Sequence, residues 1–136
     1  MEVKFTILGE PMGKERPKFR RVGNYVRTYT PAKTVKYEAH VVNSYSADRY
    51  LQGPVRAEII AFYKIPESAS KKSKQAMLDG TEWCLKKPDC DNIAKCILDA
   101  LNNVAYDDDK QVVELYVEKH WSNDPRVEVT LTELIK

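Results

Sequence analysis

The chain has 136 residues, 43% hydrophobic and 31% charged, and its 22 Lys and Arg against 20 Asp and Glu leave a net charge of +2. That is enough to bury one real core and too little for two ordinary domains, and no stretch approaches the roughly 20 apolar residues of a membrane-spanning helix. An acid at position 2 and a short apolar run argue against a signal peptide. Cys84, Cys90 and Cys96 contain no C-x-x-C pair, which argues against a disulfide framework or structural zinc, so a reduced cytoplasmic protein is expected.

In chain order, "VKFTILG" (Val3 to Gly9) alternates apolar and polar residues and reads as a strand ended by Gly9, Pro11 and Gly13. From Lys14 to Thr30 there is no sustained period, and Pro17 and Gly23 interrupt it, so a long loop or irregular hairpin is expected. This stretch is strongly basic: Lys14, Arg16, Lys18, Arg20, Arg21 and Arg27, followed by Lys33 and Lys36, face one acid, Glu15. Phe19, Tyr25 and Tyr29 are interleaved with them. Such an asymmetry points to a polyanion partner, although a solvated loop has the same composition.

Thr30 and Pro31 suit the start of a helix in which Val35, Ala39, Val42 and Tyr45 recur at helical spacing, stopped by Gly53 and Pro54. "VRAEIIAFYKI" (Val55 to Ile65) is a β-branched and aromatic strand, and "SASKKSKQAMLDG" a short basic helix ending at Gly80. A third helix follows Pro88, with Asp89 or Asp91 at its cap and a stripe of Ile93, Ala94, Ile97, Leu98, Leu101 and Val104. After a turn at Asn102 and Asn103 comes the run Asp107 to Asp109. "QVVELYVEKHW" and "RVEVTLTELI" then read as two strands forming an antiparallel hairpin around "SNDP". The order β-α-β-(α)-α-β-β gives an α+β fold in a single domain over 1–136.

The acids between Asp89 and Asp109 need either water or a cation to relieve their repulsion. Asp89 and Asp91 lie two apart in an extended approach, so both can face one side. Asp91 and Lys95 are i, i+4 neighbours if the helix starts at Asp91. Should the later acid run return beside them, oxygen-only donors would suit Mg²⁺ or Mn²⁺, and two such ions roughly 4 Å apart can clamp both oxygens of a phosphodiester displacement. Simple helix capping and an exposed acidic turn remain open readings of the same residues. An EF-hand does not fit, because Ile93 and Ala94 occupy positions needing a ligand and a glycine.

The stretch "KPDCDNIAKCILDALNNVAYDDDKQV" resembles the signature of the RusA-type Holliday junction resolvases, endonucleases encoded by many phages and prophages. That pattern runs approximately P-D-x-D-N-x-x-K-x-x-x-D-A-L-N-G, a short loop, then D-D-x-Q-V. The match covers Pro88, Asp89, Asp91, Asn92, Lys95, Asp99, Ala100, Leu101, Asn102, Asp108, Asp109, Gln111 and Val112. The opening "GEPMGKERPKFRRVGNYVRTYTPAKTVKYE" also resembles the family's. The resemblance implies a homodimer that nicks opposing strands of a four-way DNA junction, in recombination and repair, with Mg²⁺ (or Mn²⁺) as cofactor.

It implies metal ligation by Asp89, Asp91 and Asp109, with Asp108 a further candidate, and a lysine needed for activity at Lys95. DNA contacts are expected from Lys14, Arg16, Lys18, Arg20, Arg21 and Lys87. The usual Asn-Gly turn is Asn102-Asn103 here, and Asn tolerates positive φ well enough to keep it. Asp107 makes the acidic run ambiguous by one position, and anchoring on Gln111 and Val112 selects Asp108 and Asp109. Other branched DNA as substrate, or a non-enzymatic structure-selective DNA-binding module, are the competing functions.

Overall fold

A computed structural model describes residues 1–15, 18–48 and 50–135. Strand β1 (Glu2–Leu8) is followed by β2 (Lys18–Val22) and β3 (Tyr25–Tyr29), helix α1 (Ala32–Ser44) and strand β4 (Val55–Lys64). Helices α2 (Lys71–Asp79) and α3 (Cys90–Ala100), a short 3₁₀ turn (Asp109–Gln111), β5 (Val112–Ser122) and β6 (Arg126–Glu133) complete the chain. The mixed α+β class holds.

Four strands form one sheet in the order β1-β6-β4-β5, with β4 and β5 parallel and the other pairs antiparallel. The expected C-terminal hairpin is therefore corrected: β5 and β6 are consecutive but do not pair, because β4 lies between them. The cause is the connection. Parallel strands require a long crossover, and the α2–α3 segment between β4 and β5 is one. β4 is then the strand with most to bury, alternating fully buried residues (Val55, Ala57, Ile59, Ala61, Tyr63) with half-buried ones, which suits the sheet centre.

Val3, Phe5 and Ile7 of β1 and Val127, Val129 and Leu131 of β6 join the odd-numbered β4 residues in the core. α1 packs against β1 and α3, and α3 against β5. α1 starts one residue later than expected, after Pro31, and buries Thr34, Tyr37 and Val41, while Val35 is half exposed. Within the expected loop from Lys14 to Thr30, Lys18–Val22 and Tyr25–Tyr29 form the β2–β3 hairpin, a separate two-stranded sheet with every strand residue exposed.

α3 buries Ile93, Ala94, Cys96, Ile97 and Leu98, and Leu101 follows at its C-cap, close to the expected stripe. Asn103 takes φ 62 at the turn that replaces Asn-Gly. All three cysteines are free, and Cys84 and Cys96 are buried. Ile97 is fully buried; Ile97→Ala should cost about 2–5 kcal/mol in denaturant unfolding, through reduced burial plus a cavity. A loss below about half a kcal/mol would place α3 outside the cooperative core.

Candidate active site

The Asp89–Asp91 segment is positioned from below by the core. Tyr63, fully buried at the end of β4, donates its hydroxyl to the Pro88 carbonyl at 2.6 Å, and the Lys87–Pro88 peptide is cis. Asp89 occupies the N-cap of α3, yet its side chain makes no capping bond. Capping thus does not consume it. Among the described residues, the Asp89 and Asp91 carboxylates and the Lys95 ammonium have no hydrogen-bond or ion-pair partner, and all three are exposed.

These three residues line one cavity of about 620 Å³ together with Lys14, Asn92 and Asp99. Asp91, Lys95 and Asp99 are spaced four apart, so they form a single stripe, about 12 Å long at 1.5 Å per residue. The loop after β1 supplies the other wall. The Lys14 N–H donates to Asn92 Oδ1 at 3.0 Å, and its ammonium reaches Asp99 at 2.8 Å and Glu38 at 3.9 Å. The Asp99 bond holds the Lys14 ammonium above the usual lysine range, against the opposing cost of partial burial. A Cβ on Gly13 would lie 2.8 Å from both Asn92 Cγ and Pro88 Cβ, so this close approach requires glycine.

At the far end of the stripe stands the second acid group. Gln111 organises it: its side-chain oxygen accepts from the Asp107 and Asp108 N–H groups, and its amide donates to the Leu51 and Gly53 carbonyls. Asp108 caps the 3₁₀ turn by accepting from the Lys110 N–H at 3.0 Å. The Asp109 N–H donates to Asn102 Oδ1 at 2.7 Å, and Asp109 lies within hydrogen-bond reach of Asp99 and Asp108. Desolvation first, then proton sharing with Asp108 and Asp99 and their charge, pushes the Asp109 carboxyl up to about 6. The Lys110 N–H and Asp109 hold Asp108 low. Asp107 is exposed.

The structure thus brings Asp89, Asp91 and Lys95 onto one cavity and sets Asp109, with Asp108 next to it, beside Asp99 at the other end of the stripe. Among the described residues, no three acid, His or Cys side chains stand close enough to form one metal cage. The Asp89–Asp91 pair still fits a hard divalent ion of the Mg²⁺ kind, which commonly takes only one or two carboxylates and completes its octahedron with water and phosphate. Lys18, Arg20 and Arg21 lie exposed on the β2–β3 hairpin, Lys87 is exposed beside the loop bearing Lys14, and Arg16 lies outside the described residues.

Spacing alone does not single out Lys14, Asn92, Asn102 or Gln111 as organisers of the site. Asp99 has a signal, the i, i+4, i+8 stripe with Asp91 and Lys95, but its partner Lys14 is 85 residues away.

The model of the family described as endodeoxyribonuclease RusA matches residues 9–132. The uncharacterized protein YqaN of Bacillus subtilis (strain 168) is 37% identical over 137 residues, covering 97% of this chain and 96% of that protein.

Proposed function

The chain belongs to the RusA endodeoxyribonuclease family, and from that premise we propose that it resolves four-way DNA junctions by paired, Mg²⁺-dependent nicks in opposing strands. The observation that carries this reading is the pair of unpartnered carboxylates, Asp89 and Asp91, on a cavity that also displays the unpartnered Lys95. Two free acids at the start of a helix, with a free cation one turn on, suit a metal-assisted phosphodiester displacement better than a structural surface.

When bound, the divalent ion supplies an acidified water and charge neutralisation at the phosphate. Asp89 and Asp91 provide its oxygen donors, and Asp109, joined to the cavity through Asp99, is the third carboxylate assigned to one or two ions, with Asp108 beside it. Lys95 meets the non-bridging oxygens of the scissile phosphate and offsets the charge that grows there. Asn92 and Gly13 hold the loop wall against α3, fixing the width of the cavity.

The exposed hairpin grips the flanking backbone. Arg20 and Arg27 are direct cross-strand partners, a like-charge pairing that costs stability unless an anion bridges it. A phosphate does so. Lys18 shares the face of β2 that bears Arg20, and Arg21 and Lys87 are further exposed cations. In the double variant Arg20→Ala/Arg21→Ala, the slope of log affinity against log salt should fall by about 0.9 for each phosphate no longer neutralised, with the saturated cleavage rate unchanged. An unaltered salt slope would remove the hairpin from the DNA surface.

Cuts in two opposing strands call for two sites, so the active form is proposed as a two-fold homodimer. The test incubates the protein with a synthetic four-way junction in Mg²⁺, in Mn²⁺ and in EDTA. Nicks in the two metals and none in EDTA are expected. A junction bound but intact in every condition would favour a non-enzymatic binding module, and faster cutting of forks than of junctions would redirect the substrate assignment.

A further inference from the structure

Within the proposed junction-cleaving reading, we infer that Lys14 is a second cation of the cleavage cavity, presented there by Asp99, rather than one more phosphate grip of the basic loop. Its side chain sets it apart from its neighbours. Lys18, Arg20, Arg21 and Arg27 are exposed and without ion pairs among the described residues, whereas Lys14 is 26% exposed and bound to Asp99 at 2.8 Å. Its backbone is fixed as well, by the bond to Asn92 and by the close approach at Gly13 that excludes a Cβ. Between these anchors the side chain runs from the first turn of α3, at Asn92, to the third, at Asp99.

Two features distinguish this arrangement from a strut that merely docks a loop. Asp99 satisfies one of the three ammonium protons at 2.8 Å, while Glu38 stands off at 3.9 Å, which leaves donors for an incoming anion. Lys14 also lines the same cavity as Asp89, Asp91 and Lys95, with its ammonium at the Asp99 end, so a phosphate lying between the two ends would meet it. Lys95 approaches that phosphate from the helix and Lys14 from the loop. Asp99 is then a positioning residue: it acts on the phosphate only through Lys14, and it links that cation to Asp109.

The test separates chemistry from grip. Single-turnover cleavage of a four-way junction is measured at saturating protein in Mg²⁺, and junction Kd is measured in EDTA, for wild type, Lys14→Gln, Lys14→Arg, Asp99→Asn and Lys14→Gln/Asp99→Asn. The two single neutralisations should each slow saturated cleavage at least tenfold with Kd within twofold, Lys14→Arg should recover most of the rate, and the double variant should be no slower than the slower single, as expected for one unit. The slowly exchanging ammonium resonance of Lys14 in ¹⁵N NMR of the free protein should vanish in Asp99→Asn. A tenfold weaker Kd with an unchanged saturated rate would overturn the inference in favour of a grip. A lower melting temperature with an unchanged rate per folded molecule would overturn it in favour of a strut. A wild type that leaves the junction intact brings down the cleavage reading itself; a wild type that cuts while Lys14→Gln cuts equally brings down this inference alone.

Discussion

Asp91→Asn is expected to bind a four-way junction as well as the wild type and to cut it slower by on the order of a thousandfold or more. Substituting the amide removes half the charge of the Asp89–Asp91 pair, which lines the cavity free of partners among the described residues, while leaving size and helix position unchanged. An ion that neutralises a reacting phosphate contributes several kcal/mol to the transition state, and each ~1.4 kcal/mol is tenfold in rate. Affinity should hold or improve, because a negative charge is taken away from a surface that receives phosphates. Single-turnover rates beside gel-shift binding in EDTA read both quantities. Equal cleavage by variant and wild type would remove Asp91 from the metal site.

Lys95→Ala is the second large effect. Lys95 is exposed, unpaired among the described residues and one helical turn beyond Asp91, so its truncation leaves packing and the loop wall intact. The loss falls on the developing charge alone. A fall of about a hundred- to a thousandfold in saturated rate is expected, the usual cost of deleting one preorganised donor, with junction affinity changed only slightly. Thermal unfolding should be unaltered, since surface substitutions of this kind stay within about half a kcal/mol. Normal turnover would strip Lys95 of its role.

Much of this is legible in the residues. The stripe Ile93, Ala94, Ile97, Leu98 and Leu101 marks α3 and which of its faces is buried, and the spacing of Asp91, Lys95 and Asp99 puts them together on the other face. The acidic run is legible as an acidic run, but not which member turns inward. That is decided by Asn102 and Gln111, whose amides hold the Asp109, Asp107 and Asp108 N–H groups.

The expected C-terminal hairpin fails for a definable reason. Turn residues between two adjacent strands imply pairing only if no third strand has a stronger claim, and β4, connected through a helical crossover to β5, takes the place between them. The Lys14–Asp99 bond is illegible for another. Side-chain periodicity reports neighbours within an element, whereas this bond joins a loop near the N-terminus to a helix in the second half of the chain.

The central claim, a junction-resolving centre built on the Asp89–Asp91 end of α3, is tested most directly by strand-resolved cleavage. Four-way junctions labelled in turn on each of the four strands are incubated in Mg²⁺ with wild-type protein, beside linear duplexes of the same sequences. Nicks confined to two opposing strands of the junction, with the duplexes intact, are the predicted result. Junctions left whole in all four strands, or duplexes cut as fast as junctions, would contradict it.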